Sequence, residues 1–228
     1  MSTNGSGWSF EMRSAERTSR RLRETSPVTF EVRRAGDRFT TTRPGSVTRY
    51  CFSFGHHYDP HHVSFGPVVA VNDERVAPGS GFESHPHAGL VIVTYVVSGS
   101  LFHHGLSDAT VTAGQVAVLR TGGGVLHAET NAGASELRFV QTWLTTGSED
   151  ISYDVTTDPV PVGDAVVTAG QLPAQAFTGH LFVATGTVDV DGTALGEGDS
   201  VRASSPVVLT PSPGAELVLV SWPAAPAS

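Results

Sequence analysis

The sequence predicts an all-β fold made of two β-barrels. Composition, the spacing of short apolar runs and a pattern used twice predict it. The 228 residues include 25 Gly and 14 Pro but no Lys and only two Met, so good helix formers are scarce. Gly, Pro, Val, Thr and Ser suit strands and turns better than a helix bundle. The length allows one large domain or two of about 100 residues each.

The elements come in order. Segment 1–26 is polar and basic and reads as a tail or a short helix. From Val28 onward, apolar runs of strand length follow one another: VTFEV (28–32), VTRYCFSF (47–54), GPVVAV (66–71), LVIVTYVVSG (90–99), TVTAGQVAVL (110–119) and LRFVQTWL (137–144). Between them AGD, NDERVAPGSG, LSDA and TGGG read as turn chemistry. A second series, DAVVTAG, GHLFVATGTVDVDG, VVLT and AELVLVSW, follows a polar, Pro-bearing stretch at 147–164. The expected units are therefore 27–146 and 147–228. Both carry a strand, a tight turn and a Gly-rich turn in the same order, GSLFHHGLSDATVTAGQVAVL and GTVDVDGTALGEGDSV, which suggests one barrel unit used twice.

Several classes are excluded. No run approaches 18 apolar residues, and the N-terminus has no apolar stretch that reads as a secretory signal. A single cysteine, Cys51, forms no internal disulfide, which fits a cytoplasmic setting. Residues 1–50 carry a net charge of +5 and residues 51–228 a net charge of −13. Arg13, Arg17, Arg20, Arg21 and Arg23 concentrate the basic side. Interspersed Glu11, Glu16 and Glu24 favour a solvated leader over a nucleic-acid arm.

Ten histidines are the most informative count. In a strand, residues i and i+2 share a face. His85 and His87 therefore project together if their segment is extended, and Pro86 restricts His85 to extended backbone. His127 and Glu129 obey the same parity. Two such pairs in one barrel interior supply three imidazoles and a carboxylate, a set suited to Fe, Ni, Cu, Zn or Mn. Four ligands on a six-coordinate ion leave two positions for substrate and O2 or water. The alternative is a satisfied turn and an isolated core imidazole. The cluster His56, His57, His61 and His62 reads as a solvated loop rather than a surface metal site. Cys51 and His180 read as packing residues, and Gly122–Gly124 as a turn near the metal.

The segment CFSFGHHYDPHHVSFGPVVAVNDERVAPGSGFESHPHAGLVIVTYVVSGSLFHH, with LRTGGGVLHAET after it, resembles the pirin family of bicupins, strongly over residues 45–145 and more weakly beyond. The resemblance implies two cupin barrels packed face to face, with one metal in the first and none in the degenerate second. Its ligands fall on His85, His87, His127 and Glu129, the four that strand parity selects. Glu129 and His103 are the candidate catalytic residues, His103 being equally readable as a half-buried strand residue. The cofactor expected is one divalent ion, Fe(II) first, with Mn, Ni, Cu, Zn or Co as alternatives.

Three departures from the family pattern stand out. An acid usual four residues after the second His of HPH is Val91 here, expected by parity to face the cavity. The acid beside His103 is missing. Arg120 replaces a neutral residue and is expected at the pocket rim, while Val91, Tyr95, Val116 and Val118 are expected to form a dry wall.

The resemblance implies a quercetin 2,3-dioxygenase-type oxygenation of a small enolisable aromatic, with that substrate and O2 as partners and a monomer as the assembly. Two rivals remain: a metal- or redox-sensing regulator that binds a protein partner, and a metal-dependent tailoring enzyme of specialised metabolism. A solvent-open pocket favours an enzyme, and a sealed metal under a flat charged surface favours the regulator.

Overall fold

The computed structural model describes residues 30–224, so the basic tail at 1–26 lies outside the described residues. The first half contributes β1 (Phe30–Arg33), β2 (Phe39–Arg43), β3 (Ser46–Tyr50), β4 (Val68–Val76), β5 (Gly81–His87) and β6 (Leu90–Ser98). It continues with β7 (Ser100–His104), β8 (Ala109–Thr112), β9 (Val116–Thr121), β10 (Val125–Asn131) and β11 (Leu137–Thr145). The second half holds β12 (Ile151–Thr156), β13 (Val160–Val162), β14 (Ala165–Gly170) and β15 (Gln175–Thr185). It closes with β16 (Thr187–Val190), β17 (Thr193–Gly196), β18 (Ser200–Pro211) and β19 (Glu216–Ser221). Two three-residue 3-10 turns are the only helical pieces among the described residues. None is long and apolar enough to cross a membrane.

The first barrel closes a seven-stranded sheet, β12-β9-β6-β11-β4-β3-β2, over a four-stranded sheet, β5-β10-β7-β8. Between them pack Val76, Val96, Leu101, Val111, Leu137 and Phe139. The second barrel is one eight-stranded sheet curled around Leu181, Val183, Val188, Val201, Leu209 and Leu217. Period-two alternation builds the contact between barrels. On β15, Leu181 and Val183 point into their own barrel, while Phe182 and Ala184 point out to meet Val91, Val93, Tyr95, Val116 and Val118. Burying each large apolar side chain in that seam contributes about 1.5–3 kcal/mol.

Each barrel also takes a strand from the other side of the boundary expected at 147. β1 pairs with β18, Phe30 opposite Ala203, and β12 pairs with β9, Ile151 opposite Thr121. The polar stretch 147–164 thus holds two strands that its composition hides. NDERVAPGSG also differs from its turn reading, because Asn72, Asp73 and Glu74 are buried inside β4. Asp73 is paired there by Arg38 and Arg138, and Glu74 accepts a hydrogen bond from the Thr48 hydroxyl. Satisfied charges can occupy a strand interior that unsatisfied ones cannot.

His180 sits in the seam, 1% exposed, with its ring 5.4 Å from that of Phe52. Burial, reinforced by Arg202, pushes its pKa down to about 3. An unfolded histidine titrates near 6.5. Between those values the unfolded chain binds the extra proton, so this group makes stability fall as the pH falls. The expected slope is about 1.4 kcal/mol per pH unit from His180 alone. Urea midpoints measured from pH 7 to pH 4 should drop less steeply in His180→Phe than in the parent; parallel curves would contradict the assignment.

Candidate metal centre

The site is built on the four-stranded sheet. β5 and β10 run antiparallel, with His85 opposite His127 and His87 opposite Val125. Their close approach depends on Gly81, where a Cβ would collide with the Glu129 carbonyl oxygen. Alternation on β10 turns His127, Glu129 and Asn131 to the buried face. The ring centroids lie 4.8 Å apart for His85 and His87, 4.5 Å for His85 and His127, and 5.0 Å for His87 and His127. One potential ligand nitrogen from each lies within 4.8 Å of the others.

Their hydrogen bonding makes the cluster chemically unusual. Nδ1 of His85 contacts the Glu83 carbonyl at 2.6 Å, which leaves its Nε2 free. Nε2 of His87 and both ring nitrogens of His127 are buried without a hydrogen-bond partner. Native interiors seldom leave such groups unsatisfied, and an ion is one explanation. Burial first, then neighbouring imidazoles, pushes the pKa of His87 down to about 4 and that of His127 to about 3. Both are therefore neutral at pH 7, the form that ligates. The donor set fits a divalent ion.

Glu129 shares this interior but lies outside the three-imidazole group. Its carboxylate accepts from the Gln141 amide at 2.9 and 3.1 Å. The indole N–H of Trp143, which can only donate, meets the Gln141 oxygen at 2.8 Å and so turns the amide nitrogen toward Glu129. Burial pushes the Glu129 pKa up to about 7, against the pull of the Gln141 hydrogen bond. His103 is 1% exposed and lies beside the cluster, its ring 5.2 Å from His127 and stacked at 3.8 Å on Tyr153. Its Nδ1 contacts the Ser107 carbonyl at 2.9 Å, and its Nε2 has no partner.

A cavity of about 580 Å³ adjoins the cluster, lined by His85 and Glu129 but not by His87 or His127, with Tyr50, Phe54, Phe82, Phe139 and Trp143 among its other lining side chains. Glu74 also lines it, and sequence reasoning missed this residue. Burial, with smaller contributions from Glu129 and Asp73, raises its pKa to about 8 despite the Thr48 hydrogen bond. Only the alternation of β4 could have revealed it, and the turn reading of NDER hid that alternation.

Two expectations are corrected. Val91, Tyr95, Val116 and Val118 line the seam between barrels, not the metal cavity. Gly89, in the left-handed region at φ 68°, separates His87 from Leu90 and resets the alternation, so parity does not carry from β5 into β6. Thr94, not Val91, reaches the interior, where its hydroxyl oxygen lies 3.1 Å from the Gln141 amide nitrogen. Arg120 is not at the cavity rim either; it donates to the Pro161 carbonyl at 3.1 Å. The four histidines of 56–62 also separate: His57 stacks on Phe39 and meets Thr41 at 3.0 Å, while His61 and His62 lie by the seam.

The family model described as Pirin matches residues 31–144. A Mycobacterium tuberculosis protein named "Putative quercetin 2,3-dioxygenase" is 33% identical over 212 residues, covering 77% of this chain and 86% of its own. A "Pirin-like protein" of Caulobacter vibrioides is 30% identical over 210 residues, covering 75% and 90%. The crystal structure of the bacterial pirin YhhW from Escherichia coli in complex with nickel(II) matches with a TM-score of 0.77 at 21% identity. It covers 86% of this chain and 100% of that one, which shows the fold. With a family model over half its length and such relatives over three quarters of it, this chain belongs to the pirin family.

Proposed function

We propose that the protein is a metal-dependent oxidoreductase of the quercetin 2,3-dioxygenase type, which oxygenates a small enolisable aromatic with O2. The single observation that carries this reading is the cluster of partnerless imidazole nitrogens next to an aromatic-lined cavity that His85 and Glu129 reach. His85, His87 and His127 would hold the ion, with Glu129 as the expected fourth ligand and Fe(II) as the expected metal. When bound, such an ion supplies a Lewis acid that stabilises an enolate oxygen and a site for O2.

The chain's own residues do the rest. Phe54, Phe82 and Trp143 offer faces and edges to a flat ring and keep water from the reacting face. Glu129 offers a carboxylate oxygen that can accept an enolic proton, and Gln141 orients it. Glu74 is a second buried carboxyl that can hold a proton across the same cavity. His103, with its ring 5.2 Å from that of His127, is a positioning residue in this reading. The name of the mycobacterial relative supports the same activity. The open cavity favours an enzyme over the regulator, which would seal its metal. A cytoplasmic monomer remains the expected form.

The test is anaerobic loading with Fe(II), then oxygen uptake against a panel of flavonols and simple phenols. Uptake matched by loss of flavonol absorbance, and absent in His127→Ala, is the expected outcome. A fully loaded protein that consumes no oxygen with any member would overturn the enzymatic reading.

A further inference from the structure

A second chamber of about 570 Å³ lies at the seam between the barrels and shares no lining residue with the metal cavity. β1, the end of β3 and the start of β18 frame it, together with the loop that carries Asp59, His61 and His62. Its interior holds a group in an unusual state. Arg33 is 9% exposed, and its Nε and Nη1 are buried with no hydrogen-bond partner among the described residues. Only Nη2 is engaged, donating to the Asp37 carbonyl at 2.8 Å. Three N–H donors are left without an acceptor among the described residues, while the guanidinium carbon lies 4.7 Å from the centre of the Phe39 ring, which answers the charge only weakly.

Leaving such a cation in place is costly. A buried charge without a hydrogen-bonded counter-charge is destabilising, and native proteins resolve this with a counter-charge, water or a ligand. The nearby carboxylates do not supply it. Glu31 is exposed and paired with Arg202 at 2.5 Å, and Asp59 accepts from the His61 amide at 2.9 Å. Burial holds the Arg33 pKa below its ordinary value, as expected of a poorly compensated guanidinium.

We propose that this chamber is a second ligand site, which takes a small monocarboxylate with an apolar body and seats the carboxylate on Arg33. Charge-assisted N–H donors to a carboxylate are the strongest answer available to such a group. Phe30, Val32 and Phe52 line the chamber and offer an apolar wall to the body of the acid. The acids Glu31 and Asp59 stand toward solvent while the unpaired cation stands deep, so one negative charge is welcome and a second is repelled. That layout selects a monoanion over a phosphate dianion. Ser200 and the buried His180 line the same chamber and can complete the hydrogen bonds of the carboxylate oxygens.

The experiment titrates sodium benzoate, sodium acetate and inorganic phosphate into the full-length protein, followed by calorimetry and thermal melting. Benzoate should saturate at one per chain and raise the melting temperature. Acetate should bind more weakly and phosphate not at all. Arg33→Met should lose benzoate affinity by about tenfold or more, the magnitude of one charge-assisted contact. It should melt no lower than the parent, since the unpaired charge is gone. Should Arg33→Met fail to fold, Arg33→Lys keeps the charge without the planar donors and should still weaken benzoate.

His127→Ala separates this site from the metal cavity, and its benzoate binding should match the parent's. Four results would overturn the proposal: no saturable benzoate binding, phosphate binding tighter than benzoate, unchanged affinity in both Arg33 variants, or loss of benzoate binding in His127→Ala.

Discussion

Replacing His127 with Ala should abolish metal retention while leaving the barrel folded. The three imidazoles are the only group of metal-ligating side chains found gathered among the described residues, and removing one leaves two nitrogens. Losing a residue that merely orients a ligand weakens metal binding about 10- to 100-fold, so losing a ligand should exceed about 100-fold. The fold should survive because neither ring nitrogen of His127 has a hydrogen-bond partner, and no donor or acceptor is orphaned by its removal. Glu129→Gln should weaken binding less, because an amide oxygen still coordinates and the carboxylate lies outside the imidazole group.

Trp143 provides a readout besides metal content. Its ring lies 4.6 Å from that of His87, edge to face, so a paramagnetic ion at the cluster should quench its fluorescence. Quenching by added Ni(II) or Fe(II) should be lost in His127→Ala and retained in Glu129→Gln. Full metal occupancy in both His87→Ala and His127→Ala would return these residues to structural roles.

Much of the site was legible because strand periodicity is short-ranged and exact to one residue. His85 with His87, and His127 with Glu129, could be assigned to one face from spacing alone. The pairing of β5 with β10, which brings the two faces together, was not contained in either segment. The family resemblance anticipated it, and the register of His127 opposite His85 now supplies the physical reason.

The readings that failed crossed a point where periodicity is reset. Val91 was projected from His87 through Gly89, whose positive φ turns the chain by more than any alternation rule can follow. Glu74 and Asp73 were hidden for another reason. Charged residues read as turn chemistry unless their partners are known, and those partners come from distant parts of the chain: Thr48, Arg38 and Arg138. β12 was missed because it lies on a sheet edge with Ile151 and Val155 exposed, so no apolar stripe marks it.

Asp73→Ala should be the most destabilising single substitution in the scaffold, by about 3–5 kcal/mol, the range for removing one partner of a buried ion pair. The Asp73 carboxylate meets Arg138 Nε at 2.9 Å and Arg38 Nη1 at 3.2 Å, and all three side chains are at most 5% exposed. Burial pushes the Asp73 pKa up, but the two guanidinium groups outweigh it and hold the carboxyl below its ordinary range. Its contribution is therefore present above the unfolded value of about 3.9 and is lost as acidification passes through the folded value.

The arrangement also ties the barrels together. Arg138 Nη1 reaches Glu197, between β17 and β18, at 2.8 Å, and the Arg38 guanidinium lies 5.3 Å above the ring of Phe182. Removing the carboxylate leaves two buried cations side by side, which costs more than the lost attraction alone. Replacing Arg38, Asp73 and Arg138 together with apolar residues of similar volume should therefore be milder than Asp73→Ala, because no charge is then stranded. Urea unfolding at pH 7 distinguishes the outcomes. A loss below about 1 kcal/mol in Asp73→Ala, the scale of an exposed ion pair, would show that water reaches the network and that the seam does not depend on it.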